Sequence, residues 1–195
     1  MDASSFAAHL YTVGLAVALA ACAGFRAWLP LLLAGGVARL GWLDLGPSFQ
    51  FIASDKALAI FAVATVLELV GDKIPAVDHT LDVIGTPLRP AVGALLAASV
   101  LGFVPDPLTA LVLGVAVGAP AALVPHAAKS ALRAASTVLT GGLANPLLSV
   151  LEDVITIALF ALAILVPLLV VLLVVLVGGW AARRLSATPA PVEPA

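Results

Sequence analysis

Charge is scarce in this chain. Only 10% of its 195 residues are Asp, Glu, Lys or Arg, against about 25% in an ordinary soluble domain. The 9 Lys+Arg do not exceed the 11 Asp+Glu, so there is no basic surplus to neutralise phosphates, and nucleic acid is not an expected partner. A single cysteine, Cys22, excludes a disulfide framework and a thiolate metal site. G-x-S-x-G, a Walker loop and zinc-ligand spacings are all missing, which argues against soluble-type hydrolase or ATPase chemistry. No residue is assigned a catalytic role, no cofactor is expected, and an enzyme is the less favoured class.

Apolar residues, by contrast, are abundant. They make up 63% of the chain, and the mean hydropathy is +1.19. A soluble domain or a disordered chain does not have this composition. A small all-α, polytopic membrane protein does, with one domain over 1–185. The tail 186–195, rich in Pro and Ala, is expected to be disordered.

Cys22 follows Leu-Ala-Ala, like a lipoprotein cleavage box, but no Lys or Arg precedes it and Phe25 and Arg26 follow at once. A first membrane helix is the expectation. The charge pattern suggests about five spans, near 6–25, 55–72, 88–104, 107–126 and 146–178. Between them, 27–38 is too short to cross and suits a half-helix or re-entrant piece. Residues 76–84 read as a short interfacial helix, and 127–140 as a separate polar helix stopped by Gly141 and Gly142. Residues 39–54 read as an exposed loop with Trp42, Phe49 and Phe51 as interfacial anchors. Arg183 and Arg184 after the last span favour a cytoplasmic C-terminus, with the N-terminus then outside.

The halves echo one another. Gly14-Leu-Ala-Val matches Gly114-Val-Ala-Val, each half then has a Gly pair, and Thr65-Val-Leu-Glu68 matches Ser149-Val-Leu-Glu152. Repeats over 10–72 and 110–178, separated by one span, would be inverted, an arrangement found in transporters and some channels.

Ionisable residues inside a membrane domain are costly and point to function. Here they gather in stripes. Thr65, Glu68 and Asp72 share one helical face, as do His126, Lys129 and Arg133. Asn145, Ser149, Glu152 or Asp153, and Thr156 form a third. Together with Arg26 and Lys73 these residues are candidates for a pathway or binding site. Glu68 and Glu152 are the first choices for proton or cation handling, with His126 as a further proton carrier. Arg26 and Arg133 suit an anionic group, and the helix start at Asn145-Pro146 suits an anion or carboxylate. Asp78 and Asp82, four apart, offer a weaker Mg²⁺ site of the kind that holds a diphosphate.

Three segments carry a resemblance: GFRAWLP from Gly24 to Pro30; ELVGDKIP from Glu68 to Pro75, continuing through Asp78, Asp82 and TPLRP to Pro90; and TGGLANP from Thr140 to Pro146, continuing to Glu152 and Asp153. With them the chain resembles the bacterial membrane family known as domain of unknown function 4126 over about residues 10–178. The resemblance implies an integral membrane protein with these polar segments as its mark, and no activity. The expectation is therefore a bacterial inner (plasma) membrane protein that passes a small ion or solute, most simply as a homodimer. A structural or lipid-binding component and a Mg²⁺-dependent lipid-phosphate enzyme are the alternatives.

Overall fold

A computed structural model describes the backbone of residues 2–186, and their side chains except at 3, 75, 76, 78, 79 and 167–186. Among the described residues there are six α-helices, one 3-10 helix and no strand. They are α1 (Ala3–Phe25), α2 (Trp28–Arg39), a 3-10 turn (Pro47–Ala53), α3 (Asp55–Gly71), α4 (Pro75–Val100), α5 (Pro107–Thr140) and α6 (Asn145–Ser186). The expected all-helical membrane architecture is present. Ser4–Phe25, Thr80–Val100, Pro107–Thr140 and Asn145–Val166 are long and apolar enough to cross a bilayer. α3, the other expected span, has 17 residues, the lower end of the roughly 17–25 that crossing requires. Large apolar side chains such as Ile60, Val63, Leu67, Leu108, Val112 and Val154 point outward, as a lipid-facing flank demands.

Local chemistry sets the helix ends. Asp2 caps α1 by accepting the Ser5 N–H at 3.0 Å, Ser54 caps α3 through the Ala57 N–H at 3.3 Å, and Asp106 caps α5 through the Thr109 N–H at 2.7 Å. Gly141 and Gly142, at φ 64° and 84°, close α5 in the left-handed region, the helix stop expected of that pair.

Two expected breaks do not occur. The 76–84 and 88–104 segments join as α4, which runs through Pro87 and Pro90, and 107–126 joins 127–140 as α5, which runs through Pro120 and Pro125. Proline already sits near the helical φ, and packing against neighbouring helices compensates for the single bond it removes. At 34 residues, α5 is about 51 Å long, well beyond a hydrocarbon core of about 30 Å.

α1, α4 and α5 form the centre, with Leu19, Ala20, Ala23, Leu96, Ala97 and Ala122 buried between them. α4 and α5 approach backbone to backbone. A Cβ at Gly118 would strike the Gly93 carbonyl, and one at Gly114 the Ala94 carbonyl. The Gly114-x-x-x-Gly118 spacing thus serves close packing within the chain. Cys22 is buried in α1 and its thiol donates to Ala18 O at 3.2 Å.

The 39–54 segment is not a free loop. Leu43, Leu45, Phe49 and Ile52 are buried, and the Gly46 N–H donates to Ser99 O at 2.7 Å. Trp42 and Phe51 remain exposed, as interfacial anchors would. Four apolar side chains in this stretch are enough to draw it back onto α1 and α4. After the half-length α2, the chain therefore continues to the far end of the bundle, where Trp42 and Asp44 share a cavity with His9 and Thr12 of α1. This extra crossing brings Val166 of α6 beside Tyr11. The N-terminus and the described end of α6 thus lie at the same end of the bundle, not at opposite ends as expected. The crossing also sets α1 parallel to α5, with Phe25 meeting Lys129 and Gly24 against Ala122. An in-plane two-fold between the repeats would require these helices to be antiparallel.

Candidate functional site

α1, α3 and α5 run toward one end of the bundle, and α2, α4 and α6 start there. At this end the ionisable stripes meet. Glu68, Asp72, Asp82, Glu152 and Asp153 face Arg26, Arg89, Lys129, Arg133 and Lys73, in equal numbers.

Arg26 is fully buried where the backbone leaves α1 in extended form. It pairs with Asp72, lies 2.6 Å from Asp153 Oδ1, and donates to Ser149 Oγ at 2.8 Å and Ser149 O at 2.9 Å. One side chain thereby ties α1 to α3 and α6. Arg133 forks onto Glu152, with Nε to Oε1 and Nη2 to Oε2 both at 2.8 Å, the two-pronged geometry that suits guanidinium. It also reaches Asp72 at 3.3 Å and Asp82 at 3.7 Å. Lys129 donates to Glu152 at 3.1 Å and to the free carbonyl of Phe25 at 3.2 Å. Lys73, half exposed at the rim, lies 3.7 Å from Asp153.

Glu68 has a different task. The extended Arg26 leaves the first N–H groups of α2 unpaired, and Glu68 accepts them, from Ala27 at 3.0 Å and Trp28 at 3.2 Å. A carboxylate at a helix start is favoured by both hydrogen bonding and the dipole. At the start of α6 the Leu147 and Leu148 N–H groups turn to Ala144 O at 3.1 Å. Asn145 turns its Nδ2 to Thr137 Oγ1 at 3.1 Å.

His126 is buried between Arg89, which donates, and the Thr86 hydroxyl, which gives its own proton to Asp82 O at 3.0 Å and is left to accept. Arg89 Nη1 lies 3.0 Å from Nδ1, and Thr86 Oγ1 lies 3.3 Å from Nε2. Arginine has no acceptor, so Nδ1 must present its lone pair and Nε2 carries the proton toward Thr86. Arg89 also contacts Asp82 at 3.3 Å and stands 3.9 Å from Glu68.

All the expected pathway residues therefore gather at one end, with Asn145 at its edge. Arg89 and Thr86 were not among them. Asp82, Thr86 and Arg89 follow i, i+4, i+7 spacing, a helical stripe hidden in the sequence by Pro87 and the supposed break beside it. Asp82 is surrounded by Arg89, Lys129 and Arg133, which opposes the Mg²⁺ role considered for it. The side chain of Asp78, its proposed partner, lies outside the described residues. No cluster of three or more His, Cys, Asp or Glu suited to a metal occurs among the described residues.

Two clefts open on the cluster. The larger, about 630 Å³, lies between α4, the end of α5 and the start of α6. Asp82, Thr86, Ser130, Arg133, Thr137 and Asn145 are its polar lining. The smaller, about 290 Å³, lies between α2, α3 and α4 and reaches Glu68 and Arg89. Arg89, with Asp82 on one side and Glu68 on the other, stands between them. Arg26 Nε, Arg89 Nε, Thr65 Oγ1 and Asn145 Oδ1 are buried without a hydrogen-bond partner among the described residues, an uncommon state for native polar atoms.

Residues 13–187 match the model of a family described as domain of unknown function (DUF4126). The chain belongs to this family. No curated protein and no solved structure matches it. Membership confirms the resemblance carried by the GFRAWLP, ELVGDKIP and TGGLANP segments. It adds no activity, so the chemistry of the DUF4126 site rests on its geometry.

Proposed function

We propose that this DUF4126 protein moves a small ion or polar solute across a membrane through its charged cluster. The observation that carries the reading is the pair of clefts that reach the same buried ion-pair network from two sides, with Arg89 between them. Pure bracing does not call for a cleft of about 630 Å³ against Arg133 and Asp82, nor for orphaned donors on Arg26 and Arg89. The network is balanced in charge, so a passing ion is met by a partner of either sign. The bacterial inner membrane is the setting. The Arg183-Arg184 pair of the sequence favours a cytoplasmic C-terminus, and the cations at the cluster end are matched by carboxylates. Assembly as a homodimer completes the enclosure that so few helices barely provide.

A second reading has its own support. Every buried carboxylate of the network has a cationic partner or helix N–H donors, which suits a structural brace. Liposome flux separates the two. Purified protein is reconstituted and assayed for H⁺, K⁺, Na⁺ and Cl⁻ passage, beside Asp82→Asn and Glu68→Gln variants whose melting is measured in parallel. The transport reading expects passage of at least one of these ions above protein-free vesicles, and a several-fold change in rate in a variant that still folds. No passage by the wild type, or rates indifferent to both variants, overturns it.

A further inference from the structure

The end of the bundle opposite the charged cluster holds a cavity of about 300 Å³, and its walls are of another kind. Tyr11 and His9 come from α1, Trp42 from the segment that returns after α2, and Phe103 from the α4–α5 turn. His9 and Phe103 pack edge to face with ring centroids 4.6 Å apart, and His9 Nδ1 is held 2.6 Å from Ser5 O. This fixes one wall. The rings of Trp42 and Tyr11 are exposed, so they are not consumed by internal packing. One carboxylate, Asp44, shares the lining. It has no ion pair among the described residues, and Arg39, the basic residue nearest in sequence, is paired with Asp55.

We propose that this cavity binds an alkylated ammonium group. Aromatic faces attract cations through the ring quadrupole. They favour a weakly hydrated, alkyl-covered ammonium over Na⁺, because the alkyl groups also bury apolar area. Aromatic side chains are the recognised means of holding such a group, and the exposed carboxylate of Asp44 adds a charge of the opposite sign to the lining. The volume is at the small end of ligand pockets, about 300–1,000 Å³, and fits a head group rather than a large molecule. The cavity lies where the Ser4–Phe25, Thr80–Val100 and Pro107–Thr140 spans end. At that depth both a choline-type lipid head group and a free quaternary amine can reach it. The site is independent of transport through the other end.

Trp42 reports occupancy directly. Trp28→Phe and Trp180→Phe leave it as the sole tryptophan of the chain. This protein is placed in phosphatidylglycerol nanodiscs and titrated with tetramethylammonium chloride, sodium chloride and tert-butanol, the last a neutral mimic of similar shape. Thermal melting of the unmodified protein is followed in the same titrations, so that a poorly folded double variant does not decide the outcome. The expected result is a saturable response to tetramethylammonium alone, weakened about tenfold by Asp44→Asn. Repetition in phosphatidylcholine nanodiscs assigns the source. A site already filled by the head group no longer responds, and a site for a free amine responds as before. The proposal is overturned if no saturable response occurs, if tert-butanol acts equally, or if Asp44→Asn changes nothing. The last two results would mark the rings as ordinary interfacial anchors.

Discussion

Replacement of Arg26 by Gln should destabilise the fold far more than loss of a surface ion pair does. Arg26 is 0% exposed and serves Asp72, Asp153 and Ser149 at once. Without it, and among the described residues, Asp72 keeps Arg133 at 3.3 Å and Asp153 keeps Lys73 at 3.7 Å as cationic partners. Removing one partner from a buried pair costs about 3–5 kcal/mol, because the remaining charge stays desolvated. This amounts to a factor of more than about 100 in the folding equilibrium. Equilibrium unfolding in mixed micelles, followed by helical circular dichroism, measures the loss. Arg26→Gln combined with Asp153→Asn should recover part of it, since the double variant removes the stranded charge and the pair are in direct contact. A loss within about 0–1 kcal/mol, the range of exposed pairs, would refute the reasoning. It would mean that water fills the cluster and screens its charges.

Two further outcomes follow from the packing and the caps. Gly118→Leu forces a side chain into the Gly93 carbonyl and should cost about 1–3 kcal/mol or more through overpacking, read as a lower melting temperature and a smaller monodisperse fraction on size exclusion. Asp106, outside the membrane segment, accepts from the Thr109 N–H and hydroxyl, which holds its carboxyl below the ordinary value of 3.8. Its cap is therefore complete above about pH 4 and is lost as the pH falls through the lowered folded-state value. Asp106→Asn should flatten the acid limb of a melting-versus-pH curve, and an unchanged limb would show that the cap does not contribute.

Much of this was legible in the sequence. The scarcity of charge and the long apolar stretches point to a helical membrane domain, and the i, i+3, i+7 stripes point to the residues that meet in the cluster. What the sequence hid has physical causes. Proline and charge look like boundaries, yet Pro87, Pro90, Pro120 and Pro125 lie within helices, because a helix packed on several sides tolerates a missing bond. Residues 39–54 look like a loop by composition, while Leu43, Leu45, Phe49 and Ile52 alternate with polar residues too irregularly to announce burial. The parallel course of α1 and α5 depends on that one segment. A short resemblance between halves carries no information about direction when an extra crossing lies between them.

The cluster also dictates an order of manufacture. Its members come from segments scattered between Arg26 and Asp153, and Arg133 finds its forked partner only when Glu152 of α6 arrives. Until then the nascent chain must carry Arg26, Arg89, Lys129 and Arg133 past the insertion machinery without their full set of partners. Each such residue opposes insertion, by about 2.5–3.5 kcal/mol at mid-bilayer and by less toward the end where the cluster lies. Early helices thus enter the membrane incomplete, and the last helix acts as the keystone. A chain that stops short of α6 leaves Lys129 and Arg133 without the carboxylate they share.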